Sequence, residues 1–83
     1  MKKEIMEKIF EYASMPVHGT LSRKLRKGVQ LQVNEGRVYG EAVMFLGDDF
    51  IRIAETLPEQ TVNTYYSWDS IASVRTLSNN ADN

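Results

Sequence analysis

Residues 29–75, VQLQVNEGRVYGEAVMFLGDDFIRIAETLPEQTVNTYYSWDSIASVR, decide the fold of this 83-residue chain. In the first five, Val29, Leu31 and Val33 alternate with Gln30 and Gln32, the two-residue period of a half-buried strand. Asn34-Glu35-Gly36 then reads as a hairpin turn in which Gly36 takes the positive φ. A long second strand runs from Arg37 to Leu46, with Gly40 marking a sharp bend. Gly47-Asp48-Asp49 turns the chain into a third strand, Phe50 to Glu55. Leu57–Gln60 is a loop around Pro58, and Thr61–Tyr66, rich in β-branched and aromatic residues, is a fourth strand. Ser67–Ser70 reads as a tight turn before a short fifth strand, Ile71 to Arg75. The expected class is mainly β: one N-terminal α-helix, then a small, strongly bent, five-stranded antiparallel barrel.

The helix is read at residues 2–14. Ile5, Met6, Ile9, Phe10 and Ala13 form one apolar stripe at three- and four-residue spacing, Glu4 and Lys8 make an i,i+4 pair, and Pro16 is the stop. Residues 15–27 read as a connector whose LSRKLRK segment could add a helical turn, Leu21 and Leu25 being four apart. The barrel occupies 28–76 in a single domain of residues 1–77, and 78–83 is a polar tail.

Ten Lys and Arg stand against eleven Asp and Glu, so bulk charge does not draw the chain to nucleic acid. Four of those cations, Arg23, Lys24, Arg26 and Lys27, fall within five residues. That run reads either as a phosphate contact or as a solvated linker. Cysteine is absent, which excludes disulfides and thiolate metal sites and suits a cytoplasmic location. Acids break up the apolar character of the N-terminus, and no apolar run is long enough for a bilayer. His18, the one histidine, sits in the connector, and no spacing unites a nucleophile, base and orienter. The chain therefore reads as a non-enzyme with neither cofactor nor metal.

The order of these elements resembles the Sm-like fold, the family of the Sm and Sm-like proteins and the bacterial RNA chaperone Hfq. Val29, Leu31 and Val33 match the alternation of its first motif, Gly36-Arg37 the turn, Tyr39 the aromatic, Gly40 the second glycine, and Asp48 with Phe50 the following turn and strand. Tyr66–Val74 is similar to the second motif in its apolar pattern. Gly40 lies one residue nearer the Gly36 turn than the family pattern has it. Ser67-Trp68-Asp69 replaces the family's Arg-Gly or Tyr-Lys-His step, and Arg52 stands where many members carry a base-binding Asn. The resemblance implies a homo-oligomeric ring binding single-stranded RNA. It maps the RNA site onto Asp48, Phe50, Arg52, Trp68 and Asp69; on this reading the basic run Arg23, Lys24, Arg26 and Lys27 would be the backbone contact. Tyr65 and Tyr66, on opposite faces of their strand, would serve the subunit interface. For Phe50 a place in the core or an interface is an equal reading; Trp68, the one tryptophan and in a turn, could instead anchor a subunit interface. The alternative function is a protein-interaction or scaffold module without nucleic acid.

Overall fold

The computed structural model describes residues 1–79. Helix α1 spans Lys3–Ala13 and buries Met6, Phe10 and Ala13, three members of its apolar stripe. Ile5 stays 48% exposed. The helix ends three residues before Pro16. Ser14 turns extended there, and both its backbone N–H and its Oγ donate to the Phe10 carbonyl.

Eight strands follow: β1 (Ser14–Pro16), β2 (Ser22–Leu25), β3 (Val29–Val33), β4 (Val38–Tyr39), β5 (Val43–Leu46), β6 (Phe50–Thr56), β7 (Thr61–Ser67) and β8 (Val74–Ser78). They build a five-stranded sheet in the order β1-β2-β5-β6-β7 and a three-stranded sheet in the order β4-β3-β8. Every pairing is antiparallel. The mainly β class with one leading helix is as expected; the strand count is not. The supposed connector at 15–27 is the β1–β2 hairpin, and Leu21, expected on a helical turn, is 86% exposed in its loop. The long second strand is two strands, one in each sheet.

The bend between those two strands falls at residues 40–42, at the expected glycine and the two residues after it. Glu41 takes the left-handed conformation at φ 51°, and Gly40 does not. The first hairpin shows the same displacement. Asn34, at φ 57°, adopts the conformation expected of Gly36. Asparagine tolerates that region because its short amide can bond nearby backbone. Here Asn34 Oδ1 accepts from the Ala72 and Ser73 amides, and its Nδ2 donates to the Ser70 carbonyl at 3.0 Å. The turn is thereby pinned to the approach to β8. Residues 68–70 form a 3-10 turn, and Ile71, assigned from sequence to the last strand, instead plugs the core at 2% exposure, so β8 starts three residues later.

One core unites both sheets and the helix: Phe10 and Met6 join Leu31, Tyr39, Met44, Ile51, Ile53 and Trp68. Two polar contacts stitch the sheets together. Arg37 pairs with the buried carboxylate of Glu55 at 3.0 Å. The Tyr39 and Tyr66 hydroxyls lie 2.7 Å apart. Burial, and then the bond to Tyr39, push the Tyr66 phenol up from 10.0 to about 12. A raised folded-state value means that the stability gained is intact below the unfolded value and lost as pH climbs through the folded one. Thermal stability should therefore fall between about pH 10 and pH 12. Ultraviolet titration of Tyr39→Phe should show Tyr66 ionising earlier than in the parent, and an unchanged curve would contradict this coupling.

Candidate nucleic-acid interface

Alternation along β6 turns Ile51, Ile53 and Glu55 inward and leaves Phe50, Arg52, Ala54 and Thr56 on the outer face. The strand register then fixes which side chains surround them. Ser22, Phe45, Arg52 and Tyr65 stand directly opposite one another across β2, β5, β6 and β7. The next row along is Met15, Lys24, Val43, Ala54 and Asn63. Phe50 faces Ser67, and Thr56 faces Thr61. Although the chain holds eleven acids, none occupies these outward rows.

Three rings and one guanidinium form the centre of the face. Phe50 lies 6.1 Å from Phe45 and 5.9 Å from Tyr65, centroid to centroid, both pairs tilted. Arg52 Cζ sits 5.5 Å from the Phe45 centroid, within cation–π range. Arg52 makes no ion pair or hydrogen bond among the described residues, and its Nε is buried without an acceptor. Tyr65 is 60% exposed, so the rings border open solvent. Gly47 makes room for this arrangement: a Cβ there would meet the Phe50 ring at 3.0 Å.

The residues that the sequence nominated separate into three groups. Phe50 and Arg52 lie on the face. Asp48 and Asp69 are exposed on neighbouring turns at its rim, Asp48 reaching Lys3 at 3.4 Å. Trp68 is turned inward. Its amide donates to the Asp49 carbonyl at 3.2 Å and its indole N–H to the Gly47 carbonyl at 3.1 Å. The two turns thus meet, but the indole offers no ring face to a ligand.

The basic run also divides. Arg23 turns toward the helix, where its guanidinium donates to Ser14 Oγ at 2.8 Å and to the Phe10 and Ser14 carbonyls. Arg26 Nε donates to the Tyr12 carbonyl. Lys24 and Lys27 are exposed, with no ion pair among the described residues. Tyr65 and Tyr66 do point to opposite faces, one exposed and one in the inter-sheet hydroxyl pair.

Phe45 and Tyr65 are aromatic residues of this face that sequence reading did not assign to it. Placing them there needs the β5–β6–β7 register; the available signal was that Val43 and Phe45 share a face opposite Met44. Among the described residues, no group of three His, Asp or Glu side chains is placed to hold a metal ion, and no helix is long and apolar enough to cross a membrane. No protein-family model matches the chain, and neither the curated proteins nor the solved structures yield a match.

Proposed function

We propose that the chain is a divergent Sm-like protomer whose outer sheet face binds single-stranded RNA without catalysis. The observation that carries this reading is the unpaired Arg52 set among Phe45, Phe50 and Tyr65 on a face free of acids. A base stacked on an aromatic ring is worth about 1–3 kcal/mol, whatever its sequence. A guanidinium beside the rings adds a cation and a planar surface for the strand. Self-association belongs to the same proposal. Among the described residues, β7 and β8 each have one unpaired edge and are the long edge strands of their sheets. Pairing β7 of one copy with β8 of the next would remove both edges.

The test is fluorescence anisotropy with labelled oligo-U and oligo-A, and native mass spectrometry for stoichiometry. Phe50→Ala and Arg52→Ala should each weaken binding about 5- to 30-fold, the equivalent of about 1–2 kcal/mol. Circular dichroism should stay unchanged, since neither side chain is fully buried. Parent-like affinity in both variants would remove this face as the binding site. The same open edges also favour a second reading, in which an extended peptide adds to β7. A chain that forms assemblies but retains no oligonucleotide would support that scaffold role.

A further inference from the structure

Beside the β2–β3 turn lies a groove of about 770 Å³ with Lys24, Arg26, Lys27, Gln30 and Glu41 in its walls. The cations there sit on hydrogen-bonded backbone. Lys24 belongs to β2, and the Val29 amide bonds the Arg26 carbonyl at 3.0 Å, closing a tight turn with Gly28 at φ 80°. Lys27 sits within that turn. Gly40 forms part of the floor, and the Gln30 amide lies alongside, 3.8 Å from where a Gly40 Cβ would be. Glu41, held left-handed, is the one acid in the wall.

Lys24 belongs to two surfaces at once. It lines this groove, and its register partner Val43 places it on the outer sheet face, one alternation along from Phe45. Successive same-face residues on a strand are about 7 Å apart, a step comparable to the spacing of phosphates along an extended strand. We infer that the groove is a phosphodiester-binding extension of the stacking face, through which an RNA strand leaves Phe45 over Lys24 and passes between Arg26 and Lys27. This inference rests on the proposed RNA-binding reading. Lys24 and Lys27 supply charge that is unpaired among the described residues, Gln30 a neutral donor, and Arg26 the nitrogens beyond the Nε given to Tyr12. Glu41 opposes the strand and sets its sign-sensitive test.

The experiment measures log Kd against log salt concentration for oligo-U of about six and about eighteen nucleotides, one within and one beyond the roughly 4–16 nucleotides that a small single-strand-binding domain covers. In Lys24→Gln/Lys27→Gln the long oligonucleotide should lose about tenfold in affinity, with a slope shallower by about 1.4, or 0.7 for each phosphate no longer neutralised. The short one should change little. Glu41→Gln should bind the long oligonucleotide severalfold more tightly. Parent-like slopes in the double variant, or equal losses for both lengths, would overturn the groove while leaving the stacking face intact. Failure of the parent protein to bind either length would overturn the RNA-binding reading itself, and the groove with it. All three side chains are exposed, so unchanged melting temperatures are expected to accompany these results.

Discussion

Trp68→Ala should lower unfolding stability by about 3–5 kcal/mol, the range for truncating a large buried aromatic. The indole is 7% exposed and belongs to the central cluster with Ile51, Ile53 and Ile71. Its removal would leave a cavity where the β5–β6 turn, the 3-10 turn and the start of β8 meet. It would also strip the Gly47 carbonyl of its indole donor, a loss of about 1–3 kcal/mol for a buried acceptor left unpaired. Trp68→Phe keeps much of the apolar volume while losing the N–H and part of the ring system, so it should cost less than the alanine variant. Urea unfolding followed by far-ultraviolet circular dichroism reads both. A Trp68→Ala protein as stable as the parent but deficient in oligonucleotide binding would make the indole a ligand contact instead.

Arg23→Ala should destabilise the fold by about 1–3 kcal/mol while leaving the RNA affinity of the folded protein unchanged. Arg23 lies in the basic run, yet its guanidinium serves the end of α1, touching Ser14 Oγ, the Phe10 carbonyl and the Ser14 carbonyl. Ser14 is fully buried, so water cannot replace the lost donors. Lysine should rescue poorly, because a single ammonium cannot reproduce the fork of a guanidinium. Urea titration of Arg23→Ala and Arg23→Lys, paired with anisotropy on the same preparations, checks this. A loss of affinity at unchanged stability would return Arg23 to the phosphate contacts.

The two variants mark where sequence was informative and where it was not. Strands β3, β6 and β7 were legible because each alternates or concentrates β-branched residues between clear turns. Phe50 and Arg52 followed from them, since position within β6 determines the face. The β1–β2 hairpin was hidden because SRKL has no apolar alternation; it is a strand through its pairing with β5 and its bonds to the end of the helix. Trp68 looked exposed because it sits in a turn, and only packing between two turns buries it. The positive φ expected of Gly36 moved to Asn34, whose amide gains partners from residues 70–73 that are distant in sequence. Local propensity yields to tertiary bonds of that kind.

The closing of α1 by the hairpin that follows it also bears on how the chain is assembled. An eleven-residue helix has little stability alone. Its final carbonyls are bonded by Arg23 and Arg26 from only 13 and 14 residues downstream, across short loops whose closure costs little entropy. Its buried apolar side chains share a core with Ile51, Ile53 and Ile71, far later in the chain. On a ribosome, therefore, the polar partners of the helix emerge together with Leu25 and well before the rest of its apolar partners, so the hairpin stands beside the helix before the sheet that completes the core.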